Sequence, residues 1–196
     1  VVDILSCTIT NVPWVNHEWF FQSIVFSLYN YFGVDGLINL KVCIVSLTFL
    51  ILLFLGYTRE QKVGPIIVLL LVLLVYQLRL TLRPDIFSLL FLSLYIICLG
   101  VCLDRRWVLW AVTLIQIMWV NTHGFFIFGP IIILINLLSE FFKRRGVLPL
   151  EWNKVGRLTD QEYKTLKVGL FITLLACLVN PHFLEGALYP INVLIS

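Results

Sequence analysis

The chain has 196 residues, 60% of them hydrophobic and only 13% charged, with a mean hydropathy of +0.98. Soluble domains carry about 25% charged residues, so the composition excludes a water-soluble globular enzyme or a nucleic-acid-binding domain and points to an integral membrane protein. The net charge of +3 matters less than where the 14 basic residues fall.

Residues 1–17, interrupted by Pro13, read as an ordered loop. His17-Glu18-Trp19-Phe20-Phe21 then opens an aromatic-rich helical pattern that reaches Phe32. At about 15 residues it falls short of the roughly 20 that a span needs, so it is expected to lie in the headgroup plane as an amphipathic interfacial helix. Gly33, Asp35 and Gly36 supply a turn, and the first span runs from Leu37 to Tyr57, with Lys41 able to snorkel to the headgroups. Gly64 to Leu78 is the second span. Pro84, suited to a first helical turn, introduces the third over Ile86 to Leu103.

Two long apolar runs, Trp107 to Val120 and Phe125 to Leu138, flank the polar knot Trp119-Val120-Asn121-Thr122-His123-Gly124. Neither run can face water, so the knot is expected to be the turn of a membrane hairpin, with Pro130 restricting the start of the fifth span. Thr159-Asp160-Gln161-Glu162 fits a capping box that starts a helix leading into a sixth span, Val168 to Val179. The fold class is therefore an all-α polytopic membrane helical bundle of about six transmembrane helices plus one interfacial helix. It forms one membrane domain: an outer loop and interfacial helix over 1–36, five spans over 37–142, a cytoplasmic loop over 143–167, and the last span with an outer segment over 168–196. Val1 is not a start residue and a fresh apolar run begins at Leu188, so the chain reads as a piece of a longer protein.

Alternating the loops puts Arg59, Lys62, Arg105, Arg106, Lys143, Arg144, Arg145, Lys154, Arg157, Lys164 and Lys167 on one side, which is then cytoplasmic. The other face receives Asp3, His17, Glu18, Arg79, Arg83, Asp85, Asn121, His123, Asn180, His182, Glu185 and Tyr189. All three histidines lie within two residues of an asparagine at the end of an apolar run. A polar, partly basic depression over an apolar bundle suits a membrane lipid with a phosphorylated head. Asp3, Glu18 and Asp85 are acids whose surroundings could tune them for proton transfer. Arg79 and Arg83, four apart, share one helix face and could hold a phosphate, while the alternative for Arg83 is a snorkelling anchor paired to Asp85. The histidines could bind a divalent metal only through tertiary convergence, since no HxxxH or HxxE spacing exists. Asn121 and Asn180 could simply cap helix ends. The cysteines, Cys98 and Cys102 included, read as small buried residues.

Asp3-Ile4-Leu5-Ser6 and Pro13-Trp14-Val15-Asn16-His17-Glu18-Trp19 come first among the recognisable motifs. Arg83-Pro84-Asp85-Ile86-Phe87, Trp119-Val120-Asn121-Thr122-His123-Gly124-Phe125, Asn180-Pro181-His182 and Tyr189-Pro190 follow in order. Together they resemble a group of bacterial multispanning proteins classed with the GT-C type glycosyltransferases, relatives of the protein O-mannosyltransferases. The resemblance runs along nearly the whole chain. It implies a bundle in the bacterial inner membrane that transfers sugar from a polyprenyl-phosphate donor to an acceptor on the periplasmic side, using an acid in the first outer loop. Asp3 and Glu18 lie in the part that matches that loop. The family's first span and the acid just after it would precede Val1, and its C-terminal spans or soluble domain would follow Ser196.

The expected mechanism is direct displacement at the anomeric carbon. Glu18 or Asp3 serves as catalytic base, Arg83 and Arg79 hold the donor phosphate, and His17, His123, Asn121, Asp85 and His182 line the headgroup and acceptor site. The alternative is a non-catalytic subunit held as a scaffold among other membrane subunits. A transporter is disfavoured because almost no ionisable group lies in mid-span.

Overall fold

The structure, a computed structural model, describes residues 16–57, 63–76, 81–146, 149, 151 and 156–195. Two candidate site residues, Asp3 and Arg79, lie outside the described residues, as do the loop 58–62 and Lys154. Among the described residues there are seven α-helices and no strand: α1 Trp19–Gly56, α2 Val63–Tyr76, α3 Pro84–Gly100, α4 Val108–Val120, α5 Phe128–Arg144, α6 Asp160–Ala176 and α7 Phe183–Ile195. A 3-10 turn, Gly124–Ile127, leads into α5.

Two of these units, α1 with 38 residues and the 21-residue stretch Gly124–Arg144, are long and apolar enough to cross a membrane. The apolar helices Val63–Val75, Pro84–Gly100 and Val108–Val120 are shorter. At 1.5 Å per residue they reach roughly 20–26 Å, less than the ~30 Å hydrocarbon core. Their surfaces nonetheless suit lipid better than water. Outward-facing Val75 and Trp110 are 80% and 79% exposed, and nearly every side chain of α2 is open.

The interfacial helix and first span expected as separate elements are joined in α1 and divided by a kink at Gly33. Only Gly33 leaves helical geometry, at φ 62° and ψ −152°, a region open to glycine and strained for any other residue. The expected turn over Gly33, Asp35 and Gly36 thus shrinks to one residue. Gly36 stays helical but lies against the preceding turn, where an added methyl group would stand 2.6 Å from Phe32 Cβ. Pro84 occupies the first turn of α3 as expected. The capping box is present too, with the Glu162 amide donating to Thr159 Oγ1 at 3.3 Å and the Thr159 amide to Glu162 Oε2 at 2.7 Å. Of the expected sixth span, residues 168–176 form the second half of α6, whose first half carries the charged residues that follow the cap; α6 is not among the helices long and apolar enough to cross a membrane.

α1 packs on α3, α3 on α4, and α6 against both α4 and α5. The core runs along Ile86, Phe87, Phe91, Tyr95 and Cys98 of α3, meeting Val108, Val112 and Trp119 of α4 and Ile133 of α5. Within lipid such packing is driven by fit and interhelical hydrogen bonds rather than by removal from water. One polar link lies in the middle of it: the Tyr95 hydroxyl donates to Gln116 Oε1 at 2.6 Å, and Gln116 Nε2 donates to the Phe126 carbonyl at 3.1 Å. Gly129 of α5 faces this pair, and a methyl group there would collide with Gln116 Oε1. The absence of a side chain lets α5 close onto the link.

Helix direction alternates, and this sorts the charges. At one end Glu140, only 1% exposed, accepts from Arg144 Nε at 2.9 Å and from the Leu158 amide at 3.2 Å. Arg144 also donates to the Leu158 carbonyl at 3.0 Å, pairs with Asp160 and lies over the Tyr163 ring. Glu140 and Asp160 therefore clamp Arg144 between them and tie the end of α5 to the start of α6. The opposite end gathers the starts of α1, α3 and α5 with the ends of α4 and α6, and it carries the candidate site.

Candidate functional site

The knot Trp119–Gly124 is the turn between α4 and α5, and it is bound to neighbours on two sides. The Phe20 amide donates to the Asn121 carbonyl at 3.1 Å, which brings the start of α1 beside the knot. Asn16 Oδ1 accepts from the Glu18 amide at 3.3 Å, a local turn that presents the Glu18 side chain just ahead of the helix. As a result Glu18 Oε1 stands 3.6 Å from His17 Nε2 and 3.9 Å from His123 Nε2. These are ion-pair separations rather than hydrogen bonds. Residues 17 and 123, far apart in the chain, share one carboxylate.

Each imidazole is held from its other side. His17 stacks on Tyr189 of α7, with ring centroids 3.8 Å apart. His123 Nδ1 lies 2.9 Å from Ser88 Oγ of α3, and that oxygen accepts from Trp119 Nε1 at 2.9 Å. Burial of the His123 ring lowers its pKa, opposed by Asp85 and reinforced by His17, so the neutral form is favoured. Burial also raises the Glu18 carboxyl above its usual range, a shift that His17 opposes and Asp85 strengthens. Asp85, with a buried Oδ1, thus acts on both groups through its charge. A carboxylate of raised basicity beside a neutral imidazole is suited to taking up a proton.

Beside the imidazoles is a cleft of about 320 Å³ between the 3-10 turn and α7. His17 and His123 form its polar wall, and Phe125, Ile127, Phe128, Pro190 and Val193 its apolar walls. Gly124 lies against α7, with the Tyr189 ring 3.7 Å from where its Cβ would be. Such a cleft can take a molecule with a polar head and an apolar tail.

Comparison with family models, curated proteins and solved structures found no match.

The remaining candidates divide. Asn121 is buried, and its side chain is used up within the fold: Nδ2 donates to the Ile117 and Val179 carbonyls at 2.7 and 2.8 Å, while Oδ1 accepts from Trp19 Nε1 at 2.8 Å. It is a strut joining α1, α4 and the end of α6, which corrects its expected place as a ligand for the headgroup. Asn180 is committed likewise, donating to the Cys177 and Phe183 carbonyls and accepting from the His182 amide. His182 sits in this turn at the same end of the bundle, but among the described residues its ring has no hydrogen-bond, ion-pair or stacking partner and does not join the other two. Arg83 holds the N-cap position of α3 with an exposed side chain and no side-chain cap hydrogen bond. Among the described residues no group of three His, Cys, Asp or Glu side chains is disposed to hold a metal ion. Ser88 and Trp119 belong to the site without being among the sequence candidates, and Tyr189, expected on this face, stacks on His17. For Ser88 the available signal was its spacing, one helical turn after Asp85.

Proposed function

We propose that the chain is a multi-pass protein of the bacterial inner membrane that acts as a GT-C-like glycosyltransferase at its non-cytoplasmic end. The observation that carries this reading is the placement of Glu18 between His17 and His123, two imidazoles that form the polar wall of a largely apolar cleft. The basic residues Arg105, Arg106, Lys143, Arg144 and Arg145 occupy the opposite end, which the distribution of positive charge assigns to the cytoplasm. On this reading α2, α3, α4 and α6 complete about six spans, and α1 before Gly33 lies along the interface.

In the proposed reaction the hydroxyl of an acceptor attacks the anomeric carbon of a polyprenyl-phosphate sugar. Glu18 takes the hydroxyl proton as the new C–O bond forms, and the bond from the anomeric carbon to the phosphate oxygen breaks, releasing polyprenyl phosphate. Arg83, together with Arg79, neutralises charge on the departing phosphate, and the imidazoles orient the carboxylate and acceptor. The apolar walls of the cleft take the first part of the lipid chain.

The open face of α2 favours a second reading, a scaffold subunit whose exposed apolar helix is covered by another membrane protein. Reconstitution separates the two. Purified chain in proteoliposomes, given a radiolabelled polyprenyl-phosphate hexose and a membrane extract as the source of acceptor, is expected to consume the donor in proportion to the protein added. Donor left intact under these conditions removes the glycosyltransferase reading and leaves the scaffold.

A further inference from the structure

We propose that Ser88, held by the Trp119 indole, is a positioning residue that fixes His123 as the tautomer with its proton on Nε2, the nitrogen that faces Glu18. The inference follows from counting donors, and it rests on the reading of Glu18 as the working carboxylate. An indole nitrogen can only donate, so at 2.9 Å the Trp119 Nε1–H bond to Ser88 Oγ runs in one direction. The serine hydroxyl then has a single hydrogen left to place. Among its described partners only His123 Nδ1, at 2.9 Å, can accept it. A neutral imidazole that accepts at Nδ1 must carry its proton on Nε2.

The consequence falls on Glu18. His123 Nε2 lies 3.9 Å from Glu18 Oε1, so the fixed tautomer presents an N–H to the carboxylate and not a lone pair that would repel it. The reverse tautomer would set two acceptors against each other in a half-buried site. Three elements thus settle one proton: α4 supplies Trp119, α3 supplies Ser88, and the turn after α4 supplies His123. Ser88 is 5% exposed and Trp119 1%, so water has little access to either bond. His17 and Asp85 are the other ionisable groups whose charge acts on His123, and the group that meets Nδ1 is the Ser88 hydroxyl.

Nitrogen-15 NMR of the histidine-labelled chain in nanodiscs reads the tautomer directly. The chain has only three histidines, and the signals of His123 are those lost in a His123→Gln variant. The wild type is expected to show one neutral tautomer at His123, with protonated Nε2 and bare Nδ1. Ser88→Ala, a nearly isosteric change, is expected to admit the second tautomer. A wild-type proton on Nδ1 overturns the proposal, and that spectrum decides even if the variant fails to fold. A Ser88→Ala spectrum that keeps the single Nε2–H form also overturns it. The measurement does not depend on sugar transfer: an inactive chain with the expected tautomer defeats the glycosyltransferase reading alone, and an active chain with the proton on Nδ1 defeats this inference alone.

Discussion

Glu18→Gln is expected to reduce sugar transfer from a polyprenyl-phosphate donor by about 10²–10⁴-fold, the contribution of a well-placed general base. Glutamine keeps the shape of the side chain, and Glu18 meets its two imidazoles at 3.6 and 3.9 Å without a tight hydrogen bond to either. Insertion and thermal unfolding in detergent should therefore match the wild type. The pH profile adds a second check. Burial raises the Glu18 carboxyl, and the nearby Asp85 charge adds to this against the opposing effect of His17. A base must be ionised to act, so transfer should fall as pH drops through this raised pKa. The acid limb should lie at a higher pH than an ordinary glutamate would give, and it should vanish from the residual rate of Glu18→Gln. Unchanged transfer in the variant would remove Glu18 from the mechanism.

The largest structural effect is expected at Asn121. Asn121→Ala deletes three side-chain hydrogen bonds, to Ile117, Val179 and Trp19. Each is worth about 1 kcal/mol, so the total loss should be roughly 2–3 kcal/mol, in keeping with the modest values of hydrogen bonds between membrane helices. The Trp19 indole and Val179 carbonyl would also lose their partner. Thermal unfolding of the detergent-solubilised protein is the measurement, with a clear drop in Tm expected. A residue that served the substrate instead would leave Tm unchanged and weaken only donor binding.

Much of the architecture could be read along the chain because its signals are local. The polar knot between apolar runs marks the α4–α5 turn, Thr159 with Glu162 marks the start of α6, and Gly33 marks the break in α1. Chain order and alternation also place His17, His123 and His182 at one end of the bundle. What they do not give is position around that end. His123 turns toward Glu18, whereas His182 lies in a separate turn tied by Asn180. A polar side chain in a loop, such as that of Asn121, can bond outward or inward, and only packing decides. Trp119 is buried and donates to Ser88, a contact set by how α3 and α4 are rotated against each other. The span count depends on length, and α2, α3 and α4 are short apolar helices for which sequence hydropathy and helical extent give different weights.

On the proposed topology, the end carrying Glu18, His17 and His123 faces away from the cytoplasm. Single cysteines at two exposed positions test it, Arg83→Cys at that end and Arg105→Cys at the other, in a background with the five native cysteines replaced. A membrane-impermeant maleimide applied to right-side-out bacterial vesicles is expected to label position 83 at once and position 105 only after the membrane is opened. Labelling of 105 in sealed vesicles with 83 protected, or equal labelling of both, would contradict the account.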